Sequence, residues 1–455
     1  MKKLFPVLRY FTALVVFICS AQTVLAQKDG AYEMMLAGVK VIVQPSNNEI
    51  VEIKTVIKGG VQNYPLAKQG VESLAMTALT ECGTATDNKN SFKNKLDKVS
   101  AQINGKADMD YATISMNCIK SDIDSVWPLY VAAILTPKFD KKEFARIKQD
   151  AINNLKSMAS EPDYAIQKLA KQTAFKGRDY AKSPEGSEKS VTAISNTIAK
   201  EYYYSVLKKS RLLIVVVGDI DKNDLIKMLQ PMLSEVPKGK PFTLKKVVYM
   251  PAQNSFTAQK SELATNYIQG VTGAPAPGSP EFNAFTLAMR IFGSRHFVEV
   301  RSKNGLSYAP WAYFDGGASP SANIFVSTTK PDKYINVVKA LVQKIKKEGF
   351  TEQELKNMKT TYITRFFYNQ ETNEAQAASF VTNEVLHNNW RRALTINEDL
   401  KSVTLKDINQ IFNKYINNLT WAYRGDPAKV NPQLFTKTDV KTGLLKSKIN
   451  ANKKG

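Results

Sequence analysis

Histidine is almost missing from this chain: 455 residues hold only His296 and His387, 91 positions apart. Neither has a second histidine or a cysteine at metal-ligand spacing, so there is no H-E-x-x-H and no H-x-x-E-H. No G-x-S-x-G elbow supports a Ser/His/Asp arrangement, and a lone histidine is usually packed or exposed rather than catalytic. Cysteine is nearly as scarce. Cys19 lies in the apolar leader, which leaves Cys82 and Cys118, too few for a disulfide scaffold or a cysteine-rich metal site. Two buried free thiols are the simpler expectation. No apolar run after residue 26 is long enough to span a bilayer, and no glycine-rich phosphate loop joins a strand to a helix.

Acidic residues are outnumbered, 41 against 63 Lys and Arg, for a formal charge of +22. The basic residues are spread along the chain, mostly as lysine at helical spacing, with no Arg–aromatic cluster. That pattern reads as a solvated basic surface and argues against a nucleic-acid partner. Lys2, Lys3 and Arg9 precede an apolar run from Phe11 to Cys19 and small residues at Val24-Leu25-Ala26. Residues 1–26 therefore read as a cleaved secretory signal, and the mature chain as exported, in the periplasm or associated with the envelope. Lys441 to Gly455 are lysine-rich with no apolar period and read as a basic tail.

The chain repeats itself. A helical pattern from Val71 to Cys82 stops at Gly83-Thr84, and one from Phe282 to Phe292 stops at Gly293-Ser294, 210 residues on. Phe139, Glu143 and Lys148 recur as Phe350, Glu354 and Lys359, each 211 on. The run Leu212–Val217 closes on Gly218-Asp219, and Trp421–Arg424 closes on Gly425-Asp426. Two copies of one domain of about 200 residues follow. Each copy mixes strands (Ile50–Ile57, Tyr111–Cys118, Ser210–Val217) with helical stretches such as Lys141–Phe175. The expected class is α+β: two homologous domains, each a mixed or antiparallel sheet packed with helices, arranged as a clamp. The boundaries read as 27–236 and 259–440, with a linker at 237–258 that opens on Val236-Pro237-Lys238-Gly239-Lys240-Pro241.

With that repeat, the mature chain resembles the pitrilysin/insulinase metallopeptidases and the mitochondrial processing peptidase. Their zinc motif, H-x-x-E-H in a helix between a glycine and Gly-Thr, corresponds here to V-E-S-L-A-M-T-A-L-T-E-C between Gly70 and Gly83-Thr84. The resemblance puts Ser73 and Thr77 at the two histidine positions and Met76 at the catalytic glutamate. Downstream, Glu143 fits a family glutamate and Asp150 stands at the third ligand position, seven residues on. Neutral hydroxyls grip zinc poorly, and a thioether moves no proton. A second family segment is kept: S-R-H-F-V-E-V-R-S-K-N-G-L-S-Y places Arg301 and Tyr308 seven apart, a pair that in the family reaches the substrate carbonyl. Asn104 echoes the start of a family edge strand, which suggests Lys106 to Thr113 as a strand that pairs with extended peptide.

The resemblance therefore implies a chain with no catalytic residue of its own and no metal. It implies a substrate-binding role for Arg301 and Tyr308, and zinc only on a homologous, zinc-bearing peptidase subunit that cleaves peptide. The alternative implied by inactive family members is a binding or scaffold protein with no part in proteolysis.

Overall fold

The computed structural model describes residues 30–437; the leader at 1–26 and the tail from Lys441 lie outside them. The chain is α+β, with two sheets of the same connectivity. The first sheet has β1 (Tyr32–Leu36), β2 (Val39–Pro45), β3 (Ile50–Lys58), β4 (Gln102–Ala107), β5 (Tyr111–Ile119) and β6 (Leu212–Gly218), in the order β1-β2-β6-β3-β5-β4. The second has β7 (Ser255–Lys260), β8 (Asn266–Gly273), β9 (Trp311–Asp315), β10 (Ser321–Thr328) and β11 (Thr420–Gly425), in the order β7-β11-β8-β10-β9. Dropping β1 makes the two orders identical. The pairing senses match as well: β6 is parallel to β2 and antiparallel to β3, as β11 is parallel to β7 and antiparallel to β8. The repeat read from sequence is thus a repeat of topology.

Both sheets are covered on both faces, which is why β6 is buried along its whole length and reads as an unbroken apolar run. One cover is local: the helix Val71–Glu81 lies along β4, and the helix Phe282–Phe297 lies along β9. The other cover is exchanged. The helix Pro162–Ala174 packs on β8 and β11 of the second sheet, while Asn373–His387 packs on β3 and β6 of the first. These two helices begin 211 residues apart, the offset of the repeat.

The second exchange is pinned by polar contacts. Asn373 Nδ2 donates to the Ile50 carbonyl at 2.6 Å, and Lys40 Nζ meets Glu384 Oε1 at 2.7 Å. Trp390, 2% exposed and edge-on to Phe380, donates its indole N–H to Glu33 at 2.6 Å. The segment 237–254 has neither helix nor strand, but it is held to both halves. Lys245 and Gln62 exchange two hydrogen bonds, and Val247 N donates to the Ala318 carbonyl at 3.0 Å.

Three sequence expectations shift in the structure. The stretch Lys141–Phe175 is two helices, Lys141–Ser160 and Pro162–Ala174, because Pro162 has no N–H to continue the first and suits the opening turn of the second. The helix beginning at Phe282 runs through Gly293-Ser294 to Phe297 and on into a π-helical turn, Val298–Lys303. Gly83 ends its helix at φ +72, whereas Gly293 is helical and is needed for space, since a Cβ there would press on the Ala312 carbonyl of β9. The edge strand is Gln102–Ala107 rather than Lys106–Thr113, because Asp108-Met109-Asp110 form the turn into β5.

Trp390→Ala should lower stability by about 3–5 kcal/mol, the usual range for a buried tryptophan. Urea unfolding monitored by circular dichroism measures it, and a shift under about 1 kcal/mol would show that the exchanged helix is held elsewhere.

Candidate functional site

The helix Val71–Glu81 starts from Gly70, in the left-handed region at φ +91, and ends at Gly83. Between them Leu74, Ala75, Met76, Ala78 and Leu79 are buried, while Ser73 and Thr77 are half-buried, one turn apart on one face. Met76 is 0% exposed. Its carbonyl lies against Gly105 of β4, where a Cβ would collide with it. The edge strand is therefore seated directly on this helix. Asn104, its neighbour, is exposed, and among the described residues β4 has no strand on its outer side.

Asp150 sits on the helix Lys141–Ser160, which packs beside Val71–Glu81. Its carboxylate is not free. Arg146 Nη1 holds it at 2.9 Å, while Arg146 Nε holds Glu143 at 2.9 Å and Nη2 holds Glu81 at 2.8 Å. Lys89 and Lys93 add to the network at Glu81. Hydrogen bonds from Lys93 and Arg146 outweigh burial and hold the Glu81 carboxyl below its usual range; that from Arg146 does the same for Glu143. A guanidinium thus joins the two helices that a metal would join. Two hydroxyls, a buried thioether and a carboxylate already paired with arginine do not make a zinc site. No group of three or more His, Cys, Asp or Glu able to hold a metal occurs among the described residues.

Next to Ser73, Glu72 is fully buried. Tyr202 donates to its Oε1 at 2.6 Å, and Oε2 has no partner. Burial raises its carboxyl to about 7, against the pull of Tyr202 and Asn63. Sequence reasoning passed over this residue, because nothing in the spacing distinguishes a buried glutamate on this helix from a solvated one.

Arg301 and Tyr308 are brought together. The Arg301 guanidinium lies 4.0 Å from the centre of the Tyr308 ring and 5.1 Å from that of Phe297. The π-helical turn and Gly305, at φ +55, curl the chain so that residues seven apart meet. Val300 and Leu306 anchor the segment in the second core, whereas the helix Val71–Glu81 belongs to the first. Neither histidine is poised for chemistry. His296 is buried against Tyr334 at 3.0 Å and His387 packs edge-on to Phe282; burial lowers them to about 3 and about 4. Cys82 and Cys118 are free and buried.

Two tests follow from this geometry. Ser73→His, Thr77→His and Asp150→Glu together should bind zinc at least about tenfold more tightly when Arg146→Ala is added, because a fixed positive charge beside the ligands is removed; equal affinity by competition with a chelator would show that Arg146 plays no part. Glu72 gives a pH effect. The folded chain holds its proton more tightly than the unfolded chain, so this contribution is full below about 4.5 and is lost as pH rises to about 7. Glu72→Gln should match the native chain near pH 4 and exceed it in urea unfolding near pH 8, by at most roughly 3 kcal/mol; identical pH profiles would exclude the effect.

Residues 193–362 match the family model for the peptidase M16 inactive domain. A non-peptidase homolog from Helicobacter pylori, YmxG, is 22% identical over 402 residues, covering 81% of this chain and 88% of the relative. The crystal structure of a peptidase M16 inactive domain from Pseudomonas fluorescens superposes with a TM-score of 0.79 at 17% identity, covering 89% of this chain and all of that one. The periplasmic protease PqqL of Escherichia coli shares the fold, with a TM-score of 0.75 at 15% identity over 88% of this chain and 46% of its own length. The chain thus carries a match to the peptidase M16 inactive domain over residues 193–362 and is similar along most of its length to a non-peptidase homolog and to a solved M16 inactive domain.

Proposed function

We propose that the chain is the non-catalytic, substrate-binding subunit of an exported peptidase, supplying Arg301 and Tyr308 to a zinc-bearing homologous subunit that cleaves peptides. One observation carries this reading. Arg301 and Tyr308 stack on each other, yet Tyr308 is 79% exposed and the Arg301 guanidinium forms no ion pair or hydrogen bond among the described residues. An aromatic ring left in water adds little to its own fold. Uncommitted guanidinium and phenol donors at one surface point suit charge that develops on a carbonyl oxygen held by another chain.

Other features support the reading. The outer edge of β4 is open to an extended peptide, with Asn104 exposed on it. The chain's own helix does not fit zinc, so the metal would sit only on the partner. The basic start and apolar run within residues 1–26 favour export to the periplasm or envelope, and no helix among the described residues is long and apolar enough to cross a membrane.

Reconstitution with a zinc-bearing homologue from the same envelope fraction is the test. Arg301→Ala and Tyr308→Phe should each lower kcat of the pair by about 10²–10³, while the complex still forms. Full turnover by both variants would remove the pair from the reaction and leave a binding or scaffold role.

A further inference from the structure

The stretch without helix or strand that joins the halves, residues 237–254, is basic and free of acid. From Val236 to Ser261 there is no aspartate or glutamate, while Lys238, Lys240, Lys245 and Lys246 follow one another closely. Two further lysines are brought to its start. Lys209 N donates to the Pro237 carbonyl at 2.9 Å and Ser210 N to that of Lys238 at 3.0 Å, which sets Lys208 and Lys209 beside Lys238. None of these six lysines forms an ion pair among the described residues.

The same stretch leaves large apolar side chains in water. Val247 is 46%, Val248 39% and Met250 46% exposed. They are not on a loose loop. Val247 N donates to the Ala318 carbonyl at 3.0 Å, and Ser319 Oγ donates to the Val247 carbonyl at 2.6 Å. Leu244 and Tyr249 are buried on either side, the Tyr249 ring 5.1 Å from that of Phe175. With the backbone fixed and these anchors inside, Val247, Val248 and Met250 are held at the surface. Single exposed apolar residues are ordinary, and two other adjacent pairs occur among the described residues, Phe297-Val298 and Phe367-Tyr368. Those pairs have Glu299 and Glu371 within a few positions. Of the three, only Val247-Val248 lies on an acid-free, basic stretch.

The composition separates the possible partners. Protein interfaces centre on Trp, Tyr and Arg and are depleted in lysine, whereas the exposed side chains here are lysine, valine and methionine. A lipid surface presents anionic groups directly above an apolar layer, which suits long lysine stems beside shallow apolar side chains. We propose that residues 238–250 are a peripheral contact for an anionic lipid bilayer. Lys238, Lys240 and Lys245, all exposed, would meet the headgroup phosphates, and Val247, Val248 and Met250 would enter the interfacial layer. Because the strip is fixed to both halves, the bilayer would hold the molecule in one orientation. The assignment does not rest on the peptidase-subunit reading, and its test needs no partner chain.

The test is co-sedimentation with vesicles of the chain lacking residues 1–26, so that the apolar run Phe11–Cys19 cannot itself enter lipid. One set of vesicles is phosphatidylcholine alone, and the other contains about one-third phosphatidylglycerol. The mixed vesicles should bind the chain and the neutral ones should not. Lys238→Glu, Lys240→Glu and Lys245→Glu together should weaken binding at least about tenfold, and Val247→Ser with Val248→Ser at least about fivefold. Lys333→Glu, Lys347→Glu and Lys356→Glu make the same change of net charge at exposed helical positions of the second half, and should weaken binding less than about threefold. Equal loss in the two lysine variants, or full binding by the valine variant, would overturn the proposal, since the whole basic surface would then be the cause. No binding to the mixed vesicles, or equal binding to the neutral ones, would overturn it too. So would complete displacement by soluble poly-glutamate, which would assign the strip to an acidic protein. All the substituted side chains are exposed, and unchanged circular dichroism checks the fold of each variant.

Discussion

The reciprocal exchange of Pro162–Ala174 and Asn373–His387 is the contact on which the rest of the molecule depends. Each half builds a sheet that its own helices cover on one face. The other face is covered by a helix that the opposite half contributes. Separation would uncover the faces of β3 and β6 beneath Asn373–His387 and of β8 and β11 beneath Pro162–Ala174, so burial of apolar surface couples the halves. The polar groups at the seam are paired across it. Lys40 meets Glu384, Trp390 meets Glu33, and buried Asp110 accepts from Tyr180 at 2.7 Å and from Ala318 N at 3.2 Å. Truncating one member of such a pair leaves the other buried without a partner.

That frame holds the helix Val71–Glu81, where the resemblance places a degenerate zinc motif. Gly70 and Gly83 bound it, β4 lies against the Met76 carbonyl, and the helix that carries Asp150 packs beside it. What links the two helices is Arg146 with Glu81, Glu143 and Asp150, an ionic contact that folds without a metal. The surface around Arg301 and Tyr308 differs in kind. Those side chains contribute little to packing, and a stacked pair in which Tyr308 faces solvent has its donors available to another molecule.

The helix Val71–Glu81 was legible because its bounds are local: a left-handed glycine at each end and an apolar stripe between. The repeat was legible because both copies keep the same glycines and apolar runs at one offset. The end of the helix from Phe282 was misread because Gly293 has the signature of a stop, while its actual constraint is a strand pressed against it. The edge strand was placed too late because alternation alone does not show where Asp108-Met109-Asp110 reverse the chain.

The sequence by itself determined the α+β class and the twofold repeat, both matters of residue type, spacing or local period; the parts given to Ser73, Met76, Thr77, Arg301 and Tyr308 are what the family resemblance implies. The tertiary structure alone decided that the halves trade helices, that Arg146 engages Asp150, that Glu72 is buried beside Ser73, and that Val247, Val248 and Met250 stay exposed on a stretch pinned to both halves. These depend on which distant segments pack together and on how much water that packing excludes, and no local pattern of residues encodes either.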